Sequence, residues 1–135
     1  MSNCLHLTLA LFLVFSFAKA QKTEQEITTA SNKVLLEEIE MIAVSLTKQL
    51  NENPENIKLR ENRARAYLML EKYDLAIRDY NILIAQNNNK STYYYGRGLS
   101  KLSDNQIQKA CLDFKKAKQL NYDFTSSKII KLCGL

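Results

Sequence analysis

The sequence predicts an all-α fold, an antiparallel helix-hairpin solenoid of two repeats with a capping helix at each end. Three observations support this fold class. The 135 residues include only three Gly and one Pro, which is poor in the turn formers that sheets need. Apolar residues recur at helical spacing from Val34 to Leu50. Between positions 55 and 122 the pattern repeats with a period of about 34 residues, which is typical of helical solenoids.

The first twenty residues are similar to a secretory signal peptide. Leu7 to Ala18 is an apolar run broken only by two hydroxyl residues, and it is shorter than the roughly 20 residues that a membrane-spanning helix needs. We expect cleavage between Ala20 and Gln21, after small residues that signal peptidase accepts. The protein would then be exported, to the periplasm of a bacterium with an outer membrane and otherwise to the cell exterior, without membrane association. Because no Lys or Arg precedes the apolar run, an uncleaved anchor is the alternative.

The mature chain is predicted to have a short lead and one domain. Residues 21–30 are polar and lack apolar periodicity, which predicts a disordered lead. The helical domain covers residues 31–135 and begins with a capping helix that starts at Ser31 as its N-cap. The two repeats occupy approximately residues 55–88 and 89–122, and a short helix ending at Gly134 closes the domain.

Small and aromatic residues coincide when the sequence is shifted by one such period. The coinciding pairs include Ala64 with Gly98, Ala76 with Ala110 and Tyr80 with Phe114. In this pattern the chain resembles the tetratricopeptide repeat family, whose unit has a small residue in its first helix and an Ala and an aromatic four apart in its second. The chain departs from the family pattern at Arg63 and Arg97, where the family has Leu.

The resemblance implies that the first helices of the two repeats line a concave surface that holds a peptide or a partner helix. The matching positions are Lys58, Glu61, Asn62, Arg65, Met69, Thr92, Tyr95 and Leu99. Tyr95, Leu99 and Met69 offer apolar area, and aromatic residues are favoured as interface anchors. The alternative for Leu99 and Met69 is that they fill the space under the caps. We expect a protein or peptide partner and a role as an adaptor or scaffold.

The main alternative function is a structural subunit whose open solenoid end stacks on another copy or on a partner, and the sequence leaves the oligomeric state open. Membrane-surface binding by the seven lysines of residues 101–135 is a weaker alternative. The run Tyr93 to Tyr95 could form a nucleic-acid stacking platform, but export argues against a nucleic-acid partner. We expect Tyr94 to pack inward, Tyr95 to face the groove and Tyr93 to lie at the hairpin edge.

Neither catalysis nor a bound cofactor or metal is expected. Signal cleavage would remove His6, the only histidine, and the chain has no Gly-rich phosphate loop and no nucleophile elbow. Cys111 and Cys133 remain in the mature chain, in helices that should pack together. They could form a disulfide in an oxidising compartment. The alternative is two buried thiols that act as small apolar side chains.

Overall fold

The computed structural model describes residues 2–135, with side chains at 19, 21–23, 25, 26 and 28–135. Each secondary-structure element in that part of the chain is an α-helix, which confirms the predicted fold class. The helices are α1 (Ser2–Glu52), α2 (Ile57–Met69), α3 (Tyr73–Gln86), α4 (Ser91–Ser103), α5 (Ile107–Gln119) and α6 (Ser127–Cys133).

The chain divides into two compact units within α1. The first unit ends at Glu37 and consists of the N-terminal part of α1, whereas the second, Glu38–Leu135, holds the rest of α1 and all other helices. Among the described residues, no helix has a stretch that is both long and apolar enough to cross a membrane. The predicted signal peptide lies almost entirely outside the residues whose side chains are described, so its cleavage stays a prediction.

Two helix hairpins, α2 with α3 and α4 with α5, form the centre of the second unit. The turn inside each hairpin has the same geometry, since Glu71 and Asn105 both adopt a left-handed conformation, with φ of 57° and 62°. In each turn the residue that follows donates its backbone N–H to a carbonyl of the preceding helix, Lys72 to Tyr67 and Gln106 to Lys101, both at 2.8 Å. This is the Schellman closure of a helix C-terminus, and it occupies the same position in both repeats.

The helices of each hairpin approach closely where their side chains are small. Ala64 and Ala76 in the first hairpin and Ala110 in the second are completely buried. At Gly98 an added Cβ would lie 2.6 Å from Cε1 of Phe114, so α4 can pack on the Phe114 ring only through a residue without a side chain. The small residues that recur one period apart therefore lie where the paired helices approach each other.

Helix α1 differs from the prediction at both its start and its outer face. The helix is continuous through residues 21–31, where a disordered lead and an N-cap at Ser31 were predicted. The physical reason is that no Gly or Pro interrupts the chain before Pro54, so no helix-breaking residue separates this segment from the rest of α1. Val34, Leu35 and Ile42, predicted to share the apolar face, are each more than half exposed.

The buried face of α1 in the second unit is narrower than predicted. It consists of Ile39, Ala43, Leu46 and Leu50, each less than 8% exposed. Ile39 and Ala43 pack against Ala66 of α2. Part of α1 therefore caps the first hairpin.

Helix α6 closes the other end of the helical domain. The side chain of Ser126 caps it by accepting a hydrogen bond from the backbone N–H of Ile129, and Gly134 ends it in a left-handed conformation. Ile129 and Cys133 pack in one cluster with Phe114 of α5. The short closing helix predicted from the sequence is therefore present.

Candidate functional site

A groove of about 290 Å³ lies between α2 and α4, the first helices of the two repeats. Glu61, Arg65 and Leu68 of α2 form one wall. The other wall comes from one face of α4, formed by Thr92, Tyr93, Tyr95, Gly96 and Leu99. Tyr80 of α3 lies at the base, and an added Cβ at Gly96 would overlap its ring. The groove therefore depends on a glycine in α4 and on a ring from the neighbouring helix.

One end of the groove is polar and is organised around a buried carboxylate. Glu61 is only 6% exposed and forms ion pairs with Arg65, and with Lys90 at 3.2 Å. Lys90 Nζ also lies 3.3 Å from the Tyr93 hydroxyl. These hydrogen bonds, first to Tyr93 and then to Glu61, raise the pKa of Lys90. The lysine is therefore held in its charged form beside the groove.

The charge that this end presents to a partner is positive. The side chains of Arg65 and Lys90 are 55% and 41% exposed, whereas that of Glu61 is 8% exposed. A partner in the groove therefore meets two accessible cations, while the one carboxylate of the cluster is already engaged by both. Because both cations are partly exposed, an anionic group can approach them from solvent.

The other end of the groove is aromatic. The ring of Tyr95 stacks on that of Tyr122 with centroids 4.2 Å apart, and it meets the edge of Phe124 at 5.7 Å. Tyr122 and Phe124 belong to the segment between α5 and α6, which thus forms an end wall. Burial raises the pKa of Tyr122. Stacked rings of this kind are rigid apolar surfaces with a polar edge, which suits them to anchoring a partner side chain.

Parts of the chain are similar to curated proteins. Over 75 residues it is 36% identical to RNA polymerase II-associated protein 3 of Xenopus tropicalis, which covers 56% of this chain and 11% of that protein. The human protein of that name is 30% identical over 83 residues, covering 59% and 12%. TPR repeat-containing thioredoxin TDX of Arabidopsis thaliana is 35% identical over 78 residues, covering 58% and 20%. The last of these is named for the TPR repeat, which the sequence of the two hairpins resembles.

The two hairpins are similar to the tetratricopeptide repeats of such proteins. The chain spans between about a tenth and a fifth of the length of the relatives it matches. No family model matches the chain. No solved structure matches it either.

The two hairpins bring together five of the eight predicted partner-binding residues. Those that line the groove are Glu61, Arg65, Thr92, Tyr95 and Leu99. Lys58, Asn62 and Met69 do not line it. Lys58 and Met69 are exposed near the two ends of α2, and Asn62 is half-buried.

Sequence reasoning missed several lining residues. Leu68 of α2 and Tyr93 of α4 lie on the helices that were expected to line the groove, whereas Tyr80 comes from α3, the second helix of its repeat. Tyr122 lies after the end of α5, outside both hairpins, so the repeat pattern carries no signal for it.

The tyrosine run of α4 is arranged differently from the prediction at one position. Tyr93, expected at the hairpin edge, is 2% exposed and packs in a core cluster with Ala64 and Tyr80. Tyr94 is buried beneath Arg97, whose Cζ lies 5.6 Å from the ring centroid. Two consecutive rings are buried because α4 lies between the first hairpin and α5, so that it buries two adjacent faces.

The two cysteines of the domain lie in adjacent helices. Cys111 of α5 and Cys133 of α6 are joined by a disulfide with their Cα atoms 5.2 Å apart. The bond ties the closing helix to the last hairpin. Within the described residues, no three His, Cys, Asp or Glu side chains are grouped so as to hold a metal ion.

Proposed function

We propose that this tetratricopeptide domain is a non-enzymatic adaptor whose groove between α2 and α4 binds a segment of a partner protein. The observation that carries the proposal is the groove itself, which has accessible cations at one end and a stacked aromatic wall at the other. The partner segment would present an acidic side chain to Arg65 and Lys90 and an apolar side chain to Tyr95.

The charge preference follows from the burial of Glu61. Because its carboxylate already accepts from both cations, a second anion would share these donors, and a cationic partner would be repelled. Such exposed charges contribute on the order of 1 kcal/mol or less each. They would therefore contribute more to the specificity for the partner than to the affinity.

The affinity would come mainly from the aromatic end. Tyr95 and Leu99 lie side by side on α4 and are partly exposed, so a partner side chain could cover apolar area there without opening the core. Aromatic anchors of this kind dominate most protein interfaces.

The names of the relatives support a protein as the class of partner. RNA polymerase II-associated protein 3 is named for an association with RNA polymerase II. The partner of this chain is proposed only as a class, a protein segment with acidic and apolar side chains.

We also propose that the protein is exported after cleavage between Ala20 and Gln21. The apolar run before Ala18 supports this, and so does the Cys111–Cys133 disulfide, because such bonds persist in oxidising compartments. Mass spectrometry of the protein recovered outside the cytoplasm should give an N-terminus at Gln21. An intact N-terminus in a membrane fraction would instead indicate an anchor.

Selection from a displayed peptide library, with the protein as bait, tests the groove. We expect the enriched peptides to combine acidic and apolar residues. Thr92 is exposed and lines the groove, so Thr92→Glu and Thr92→Lys form a matched pair that changes charge at a single site. The Glu variant should weaken binding about tenfold, or about 1.4 kcal/mol, whereas the Lys variant should not.

Lys116→Glu, an exposed change on α5, is the control for a general charge effect. Equal binding by both Thr92 variants and the parent would place the peptide elsewhere on the molecule. An equal loss in both Thr92 variants would contradict the proposed preference for acidic segments.

A further inference from the structure

The outer face of α1 carries an apolar surface that nothing in the described chain covers. Met41 is 65%, Val44 63% and Ile42 53% exposed. Met41 and Val44 lie on the side of α1 opposite Ile39 and Ala43, which pack on the first hairpin, and Ile42 lies on the flank between the two faces. Contiguous apolar groups of this kind on a soluble domain usually mark an interaction surface.

Two charged residues border this surface in a regular pattern. Glu38, Met41, Ser45 and Lys48 follow one another at alternating helical spacings of three and four positions, so they form a straight row along the helix. All four are exposed, and neither Glu38 nor Lys48 belongs to any of the ion pairs of the described residues. The row therefore has an acidic end, a centre of Met41 and Ser45, and a basic end.

We propose that this row is a self-association surface, on which α1 of a second copy of this chain packs antiparallel about a two-fold axis at the level of Ala43. In that register Glu38 faces Lys48 of the second copy, and Lys48 faces its Glu38. Met41 packs against the small Ser45 of the second copy, while Ile42 meets Ile42 of the second copy on one flank of the row and Val44 meets Val44 on the other. A parallel arrangement would instead oppose like charges at both ends of the row.

The contact is isologous, since each copy offers the same patch to the other, and it closes with two copies. It uses the face of α1 that lies away from α2, so it leaves the groove between α2 and α4 free. Self-association and partner binding can therefore be tested separately.

Head-to-tail stacking is the competing arrangement, in which α6 of one copy completes a hairpin with α1 of the next. By the repeat register, Lys131 of α6 stands where Arg97 stands in α4, and Ser45 of α1 stands where Asp113 stands in α5. The hairpin formed in this way would lack the ion pair that joins Arg97 to Asp113. The charges thus favour the two-fold arrangement.

Two single variants provide a sharp test. Glu38→Lys makes both ends of the row basic, and Lys48→Glu makes both ends acidic. We expect the parent protein, purified as the cell produces it, to be a dimer at micromolar concentration by sedimentation equilibrium. Each variant alone should dissociate at least tenfold more readily than the parent, because both charge pairs become repulsive.

An equimolar mixture of the two variants should form a heterodimer that is more stable than either variant's own dimer, because both of its charge-pair sites then bring unlike charges together. Lys116→Glu on α5 is the control and should dimerise like the parent, and circular dichroism should show all variants equally helical. A monomeric parent, a mixture that associates no better than the separate variants, or oligomers larger than dimers that depend on Lys131 would each overturn the proposal.

Discussion

Arg97 of α4 holds Asp113 of α5 through two hydrogen bonds, from Nε to Oδ2 at 2.9 Å and from Nη2 to Oδ1 at 2.6 Å. The third nitrogen, Nη1, donates to Oδ1 of Asn81 in α3 at 2.7 Å. One side chain therefore connects three successive helices. The paired geometry is the strongest form of an Arg–carboxylate contact.

The same arrangement occurs at the equivalent positions of the first repeat. Arg63 of α2 donates to Asp79 of α3 at 2.8 and 2.7 Å and reaches Oγ1 of Thr47 in α1 at 3.3 Å. The hydrogen bonds to Asp79 raise the pKa of Arg63. Since Thr47 stands one repeat period before Asn81, α1 occupies the place of the second helix of a preceding repeat.

The ion pair in the second repeat predicts strong energetic coupling between Arg97 and Asp113. Asp113→Ala should lower the free energy of unfolding by about 3 kcal/mol, because it leaves Arg97 and Lys101 without their shared carboxylate in a mostly buried site. Arg97→Leu combined with Asp113→Ala should cost less than the sum of the single changes, by about 1–3 kcal/mol. Chemical denaturation of the four proteins measures the coupling.

A surface ion pair of the same domain supplies the control. Lys72 and Glu40 are 40% and 45% exposed, so Glu40→Ala should change stability by about 0.5 kcal/mol or less. If Asp113→Ala and Glu40→Ala lowered the free energy of unfolding equally, the contact between Arg97 and Asp113 would contribute no more than a surface ion pair.

The turn between α2 and α3 should be improved by Glu71→Asn. Glu71 has a φ of 57°, a left-handed conformation that disfavours most side chains but suits Asn. The equivalent residue of the second repeat is Asn105. The substitution should stabilise the domain by about 1 kcal/mol, and Asn105→Glu should destabilise it by a similar amount. A lower melting temperature in Glu71→Asn, or a higher one in Asn105→Glu, would contradict the assigned turn geometry.

Alkaline pH should weaken the fold through Tyr80. Burial raises the pKa of Tyr80 to about 12, so the folded state keeps its phenol protonated while the unfolded state begins to ionise near pH 10. The stability from this group is complete below about pH 10 and is lost as the pH rises toward 12.

Tyr80→Phe, which copies Phe114 of the second repeat, should therefore reduce the fall in melting temperature between pH 9 and pH 11. Part of the fall should remain, because the pKa values of Tyr122 and Lys90 are also raised. An unchanged pH profile in Tyr80→Phe would show that the ring ionises as freely in the folded state as in the unfolded chain.

Loss of the disulfide should destabilise the domain and release α6 first. Cys111 and Cys133 are 22 residues apart, a loop for which the chain-entropy model gives about 3 kcal/mol. The double change to Ser should lower stability by about that amount and expose the α6 amides to faster hydrogen exchange. A reducing agent should destabilise the parent but not the double variant. A parent whose melting is insensitive to the agent would contradict the bond.

The repeat register was predictable from sequence because small and aromatic residues must recur at each helix crossing. That requirement placed Ala64, Gly98 and Phe114 correctly. The roles of Arg63 and Arg97 were not predictable from the family pattern, since it has Leu there. Their partners are acids in the next helix, so only the folded hairpin reveals the pairs.

The misjudged features depend on contacts distant in sequence. Tyr122 reaches Tyr95 because the segment after α5 turns back over α4. Ile42 recurs at helical spacing with the buried residues of α1. It is nevertheless exposed, because no other helix among the described residues covers its side of α1. Periodicity identifies an apolar face but cannot show whether another helix covers each part of it.

The groove between α2 and α4 is tested most directly by amide chemical shifts of the isotope-labelled protein during titration with an acidic, apolar peptide enriched by the library selection. The proposed function predicts that the largest changes fall on Arg65, Thr92 and Tyr95, and that they shrink in Thr92→Glu. Changes concentrated on α5 and α6, with the groove amides unmoved, would contradict it.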